Sequence, residues 1–416
     1  MSYKPFIHKL PKIDIKDIFT KDSNDVISSS HICVPLFSLG FHSFIHRTKS
    51  ALSITSKLET KNKFYYVINP FEHSINDYDK DIKTVLKPFL NIKKEFSILS
   101  RAFYKMWDIL YIFNLADNKK MVMIGLAEGH GSFIQAFIEF RNKYIVDNVD
   151  TIYGITINKA NINTDQINSK VHIIKNDDDL TKVSTIHYLQ ANIKHKGDLI
   201  TADGGFEWKD KNFQEQEAYV LILSEIIAAI SNQAKNGSFV LKVFESFTPI
   251  TIKLIYILSS FYEETYIYKP YFSRYTNSEK YVICKGFKYD TSQISKEIQV
   301  LEDTLNKCNS ITNKSLFIVD MFSTFNISQE NLNIFKYINI NIANTQQIMI
   351  NNLVVYIKSN NYFGDMYHDY RDKQISANKW WIENFLTDKY HDKSTLIKDT
   401  VKYNESELKL FEKNII

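Results

Sequence analysis

The sequence predicts a doubly wound α/β sheet of seven strands, its last pair antiparallel, with helical N- and C-terminal flanks. Three observations carry this expectation. Short β-rich runs alternate with helix-patterned stretches through the middle of the chain. A glycine-bearing turn joins the first of those runs to a helix pattern. The last two runs are joined by too little chain for a helical crossover, so they pair antiparallel.

The runs are MVMIG at 121–125, TIYGITI at 151–157, VHII at 171–174, DLITA at 198–202, SFVLKVF at 238–244, TYIY at 265–268 and KYVICK at 280–285. Helix patterns lie between several of them, at 132–146, 212–235 and 248–261. Upstream, residues 91–114 place Phe96, Leu99, Phe103, Met106, Leu110 and Phe113 three or four apart, the spacing of an amphipathic helix. The first ninety residues show no clear period. Beyond about residue 290 helix patterns return, at 293–305 and over much of 326–360. An aromatic, polar stretch then follows, NNYFGDMYHDYRDKQISANKWWIENF. It reads either as a helical flank packed on the sheet or as a stacking surface for a base. The organisation expected is a flank over 1–90, a central domain over 91–289 and a mainly helical region over 290–416.

Composition narrows the class. Of 416 residues, 44% are hydrophobic and 24% charged, which suits a globular chain and not a disordered one. A formal net charge of +4 leaves any nucleic-acid contact to local basic patches. Cys33, Cys284 and Cys308 lie far apart without metal-like spacing, so they read as free thiols of a reducing compartment. No apolar run reaches the roughly 18 residues of a membrane helix. The opening MSYKPFIHKLPKIDIKDIF lacks an apolar signal core, and a cytoplasmic location is expected. Abundant Asn, Ile, Lys and Tyr with scarce Gly and Pro suit an AT-rich genome, such as that of a parasite or a large DNA virus.

Chemistry concentrates at a few points. MVMIGLAEGHGSFIQAF runs from a strand through Gly125, Gly129 and Gly131 into a helix, a turn at which backbone can approach a ligand closely. The spacing is not that of a dinucleotide fingerprint. The next strand ends near Thr156 and Asn158 without the acid that usually holds ribose hydroxyls. Asp177, Asp178 and Asp179 follow the third strand, as candidates for an adenine amino group or as a solvated turn. SRAFYK places Lys105 on the leading helix. DLITADGGF ends a strand with Asp203, at the sheet edge where ligands bind. Lys242 interrupts an apolar strand, where an ammonium is costly without partners. SRYTNSEKYVICKGF starts the last strand at Glu279.

Together these segments resemble the FtsJ-like RNA ribose 2′-O-methyltransferases, and within them the viral and eukaryotic mRNA-cap enzymes, over roughly residues 95–288. SRAFYK resembles the family's SRAxxK helix and LAEGHGSF its AxPGGF cofactor loop. TADGGF, VLKVFE and TNSEKYVICKGF resemble its remaining blocks. The resemblance implies a Rossmann-like S-adenosylmethionine-dependent fold and a catalytic tetrad of Lys105, Asp203, Lys242 and Glu279. It implies that Gly125, Ala127, Glu128, Gly129, His130, Gly131 and Phe133 hold S-adenosyl-L-methionine, with Asp203; Asn158, in place of the missing acid, and Asp177 and Asp178, after the third strand, are further cofactor candidates. Two departures stand in the loop: His130 where the family usually has Pro, and Ser132 where it often has Gly.

The mechanism implied needs no metal. Lys242 is the candidate base, with burial and a second cation lowering its pKa and a neighbouring carboxylate raising it, so the net sign stays open. Lys105 supplies that cation and orients the hydroxyl, while Asp203 and Glu279 fix the amines. The implied partner is RNA, with the first transcribed nucleotide of capped mRNA as leading substrate. Other capping or transcription proteins are further partners, in the cytoplasm, a viral replication compartment or a virion. Arg101, Arg274, Asn277 and Ser278 are the RNA-binding candidates; Lys87, Lys93 and Lys94 could track phosphates but each reads more readily as part of a solvated helix face. A ribosomal- or transfer-RNA methyltransferase and an inactive cofactor-binding scaffold are the alternatives.

Overall fold

The computed structural model describes the chain except residues 1–2, 21–23, 36–38, 59–63, 73–80, 94–95, 158–161, 168–170, 175–178, 206–213, 313–315, 361 and 416. Its main sheet has eight strands in the order β1-β8-β9-β7-β6-β3-β4-β5. They are β1 (Phe6–Lys9), β3 (Lys120–Leu126), β4 (Val149–Ile155), β5 (His172–Ile174), β6 (Gly197–Ala202), β7 (Gln233–Val243), β8 (Tyr262–Lys269) and β9 (Lys280–Phe287). A second, two-stranded sheet pairs β2 (Val26–Ser29) with β10 (Phe317–Met321).

All seven expected strands are present, and β7, β6, β3, β4 and β5 run parallel. The last two do pair antiparallel, and β9 also slots between β8 and β7, antiparallel to both. The correction is at the edge. β1, from the flank in which no period was legible, adds an eighth strand antiparallel to β8, Phe6 opposite Lys269. Four residues are too few for a periodic signal, and pairing with an exposed strand edge supplies the reason for the strand.

The helices are α1 (Leu39–Ser50), α2 (Tyr65–Ile68), α3 (Ile82–Phe89), α4 (Ala102–Phe113), α5 (Ser132–Tyr144), α6 (Val183–Asn192), α7 (Gln214–Asn232), α8 (Pro249–Ser260), α9 (Ser295–Thr312), α10 (Gln329–Ser359), α11 (Asp365–Phe385) and α12 (Ser394–Ile415). Successive strand residues point to opposite faces, so β3 feeds two cores. Val122, Ile124 and Leu126 join the core under α7, α8 and α9. Met121 and Met123 join the one containing α4, α5 and the C-terminal Trp381 and Phe385. The region after 290 is therefore not helical alone: β10 returns to pair with the N-terminal flank. Among the described residues no helix is long and apolar enough to cross a membrane.

Two expectations about the leading helix need correction. It begins at Ala102, not near residue 91. The Leu99 amide donates to Gln135 Oε1 at 3.0 Å and the Ser97 amide to Gln166 Oε1 at 2.8 Å. Those donors are spent on side chains elsewhere, so the helix cannot extend through them. Nor is it amphipathic in use, because Phe103 through Phe113 are all buried. The C-terminal region covers its outer side: Trp107 Nε1 donates to the Phe385 carbonyl at 3.0 Å and Trp381 Nε1 to Asp108 Oδ1 at 2.7 Å. Within the aromatic stretch Trp381 and Phe385 are buried and Trp380 half-buried, so this cluster packs as a flank.

Candidate active site

The four motif residues converge at the C-terminal ends of the central strands. Lys105, on the first turn of α4, sets its Nζ 2.5 Å from Glu279 Oε1 at the entry to β9. Lys242, near the end of β7, lies 3.1 Å from Asp203 Oδ1 and donates to the Asp203 carbonyl at 2.7 Å. Between the two pairs stands Tyr281. Its hydroxyl is 2.9 Å from Asp203 Oδ1 and 3.1 Å from Glu279 Oε1, sharing its proton with both carboxylates. The result is one chain, Lys105–Glu279–Tyr281–Asp203–Lys242.

Tyr281 was not among the expected site residues. Its signal was available: residues two apart on a strand share a face, so SEKY places Tyr281 beside Glu279. Glu225, buried on α7, is a second addition. A Cβ on Gly204 would stand 2.2 Å from Glu225 Oε1, so the first glycine of TADGGF lets this carboxyl approach the backbone beside Asp203.

Electrostatics signs what the sequence left open. Burial pushes the Lys242 amine down, but Asp203, Glu279 and Glu225 together lift it above the ordinary lysine value. Burial alone would raise Glu279, yet Lys105, Lys242 and Lys269 bring its carboxyl down to about 2. Glu225 is pushed up to about 8, chiefly by burial. At neutral pH the site therefore holds an ammonium at Lys242 and a carboxylate at Glu279.

The glycine turn opens onto this chain. Ala127, Glu128, Gly129, His130, Ser132 and Phe133 line a cavity of about 240 Å³ together with Asp203, Gly205 and Lys242. Gly129 (φ 60°) has nothing within 4 Å of a would-be Cβ, so the loop leaves space above itself. Gly131 (φ 92°) is the N-cap of α5, where a side chain would strain the backbone and meet Ile162 at 2.9 Å. A Cβ on Gly125 would lie 2.4 Å from Glu128 Cγ, so glycine there lets the Glu128 side chain fold back over the strand end. Burial first, then Asp203, push the Glu128 carboxyl up to about 8. Ser132 has a visible role: its hydroxyl is 2.8 Å from that of Ser100, tying this loop to the SRAFYK segment. The His130 carbonyl accepts from the Asn163 amide at 3.1 Å. Phe133 is buried, 5.9 Å from the Tyr281 ring. Asn158, Asp177 and Asp178 lie outside the described residues, as does Lys94.

The expected RNA-binding residues divide in two. Arg101 and Arg274 flank one buried carboxylate, Glu72, at 3.6 and 3.7 Å, and Arg274 stacks on the Tyr65 ring at 4.0 Å. Asn277 and Ser278 turn inward. Asn277 accepts from Lys269 through its carbonyl and side chain, and Ser278 is buried.

Against known proteins, residues 98–287 match the model of the FtsJ-like methyltransferase family. The chain is 34% identical over 140 residues to cap-specific mRNA (nucleoside-2'-O-)-methyltransferase 1 of Bos taurus, covering 32% of this chain and 17% of that one. It is 26% identical over 249 residues to cap-specific mRNA (nucleoside-2'-O-)-methyltransferase 2 of Drosophila melanogaster, covering 55% and 35%. The matches thus span well under two thirds of these relatives. A crystal structure of a ribosomal RNA methyltransferase from Plasmodium falciparum is similar at 18% identity and TM-score 0.37, covering 46% of this chain and 99% of that one.

Proposed function

Since residues 98–287 match the model of the FtsJ-like methyltransferase family, we propose that the chain methylates a ribose 2′-hydroxyl of RNA, using S-adenosylmethionine. The observation that carries this is the continuous Lys105–Glu279–Tyr281–Asp203–Lys242 chain against the glycine-loop cavity. The residues present fit the cofactor's amino-acid end. Asp203 and Glu128 are acids lining that cavity, and a cation beside them favours the ionised form of Glu128. When bound, S-adenosylmethionine supplies an electrophilic methyl group.

The chain's own residues do the rest. Lys242 Nζ accepts the hydroxyl proton, and Lys105 Nζ orients the hydroxyl oxygen. Asp203 and Glu279 hold the two amines apart at fixed distance through Tyr281, which is the positioning that such a reaction depends on. The raised pKa of Lys242 has a kinetic consequence. A base held mostly as ammonium limits the rate, so single-turnover methyl transfer rises about tenfold per pH unit from about pH 5 to 7. A flat profile over that range counts against Lys242 as the base.

The substrate proposed is the first transcribed nucleotide of capped mRNA. The names of the relatives support it, and Arg101 and Arg274 offer cationic side chains for its phosphates. The deciding experiment is transfer of radiolabelled methyl to short RNAs that differ only in the cap, followed by nuclease mapping. Label on the first nucleotide of capped RNA alone is expected. Equal labelling of uncapped RNA redirects the proposal to a ribosomal or transfer RNA target. Cofactor binding with no transfer to any RNA leaves the scaffold alternative.

A further inference from the structure

Lys269 ends β8 and is buried, and no carboxylate pairs with it among the ion pairs of the described residues. Its Nζ instead has four neutral acceptors within reach on the connection to β9, which its three N–H bonds share. The acceptors are the Glu279 carbonyl at 2.7 Å, the Asn277 carbonyl at 2.9 Å, Ser273 Oγ at 3.2 Å and Asn277 Oδ1 at 3.3 Å. Ser273 Oγ closes the same knot, 3.3 Å from Asn277 Oδ1 and from the Glu279 carbonyl. The connection 270–279 contains no helix or strand, so this ammonium takes the place of a hydrogen-bond ladder.

We propose that Lys269 is a positioning residue for the methyl-transfer site: by gathering Ser273, Asn277 and the Glu279 carbonyl around one ammonium, it sets where the Glu279 carboxylate meets Lys105 and Tyr281. This rests on the function proposed above. Glu279 is held at both ends, its carboxylate by Lys105 and Tyr281 and its backbone by Lys269. A purely structural lysine is a costly choice here. Burial pushes its amine down to about 7, and an uncharged side chain would avoid that desolvation. The charge has a use at the site, since Lys269 joins Lys105 and Lys242 in holding Glu279 ionised. Arg274 rides on the same connection, so one ammonium sets a member of the tetrad and a candidate phosphate contact together.

The test compares wild type with Lys269→Met and Lys269→Arg. Lys269→Met is expected to lower kcat about 10- to 100-fold, the cost of misplacing a reacting group by about 1 Å. KM for RNA and calorimetric affinity for S-adenosylmethionine stay within a few-fold, and Lys269→Arg recovers part of kcat. A kcat for Lys269→Met equal to wild type overturns the proposal, as does a loss confined to melting temperature and KM. A cavity of about 390 Å³ borders Lys269, lined also by Lys4, Phe6, Tyr271 and Asn341. Propylamine added to Lys269→Ala is therefore expected to restore kcat in part, and no restoration counts against the ammonium. If Lys269→Met does not fold, Ser273→Ala decides: a several-fold lower kcat supports the proposal and an unchanged kcat overturns it. Amide exchange over 270–279 needs no activity. Faster exchange there in the variants supports the positioning role even if wild type methylates no RNA, and unchanged exchange overturns it. An inactive wild type by itself refutes only the proposed function.

Discussion

Lys242→Met is expected to reduce single-turnover methyl transfer by about a thousandfold while S-adenosylmethionine still binds. A positioned general base contributes about 10²- to 10⁴-fold. Lys242 also anchors the Asp203 backbone and side chain, so its loss removes the base and loosens its neighbour at once. Methionine keeps the aliphatic stem and leaves no large void. Asp203, Tyr281 and Glu279 keep their mutual hydrogen bonds, which holds Asp203 in place at the wall of the glycine-loop cavity. Calorimetry measures the retained binding, and labelled-methyl transfer measures the loss. Transfer within tenfold of wild type would remove Lys242 from the role of base.

Asp108→Ala is expected to have the largest effect on stability, and Asp108→Asn a smaller one, because an amide keeps one of the two acceptor oxygens. Asp108 lies one turn after Lys105 on α4 and is fully buried. Its two oxygens accept from Trp381 Nε1 at 2.7 Å and from the Tyr271 amide at 3.1 Å. The residue thus joins α4, α11 and the connection that leads to Glu279. Alanine orphans two buried donors, at about 1–3 kcal/mol each. Scanning fluorimetry should show a fall of about 5 °C or more in melting temperature. Burial pushes the Asp108 carboxyl well above its ordinary value of 3.8. An acid raised on folding contributes its stability below the unfolded value and loses it as pH rises. Asn keeps one of the two acceptors and does not ionise, so its stability relative to wild type improves as pH is raised from 4. A melting temperature for Asp108→Ala equal to wild type refutes the account.

Much of the proposed site was legible because each of its four motif residues occupies a position whose local pattern is unusual. Lys242 interrupts an apolar strand, Asp203 ends a strand before two glycines, and Lys105 stands among apolar helix neighbours. The flanks were less legible, because their signals depend on distant partners. β1 is four residues long and exists through pairing with β8. Asp108 belongs to no motif, and its partner Trp381 lies 273 residues away on α11.

The sequence by itself determined the strand-helix alternation, the antiparallel final pair and the order of the four charged residues, since periodicity and turn chemistry are local. Only the tertiary structure decided how those four residues connect. Tyr281 bridges two carboxylates that are 76 residues apart in the chain (279 − 203). The sign of the Lys242 shift depends on summing burial against three acids from different elements. Lys269 has no motif of its own, and its role appears only when the 270–279 connection closes around its amine. Through-space electrostatics and hydrogen-bond geometry fall steeply with distance, and no one-dimensional pattern records which distances folding makes short.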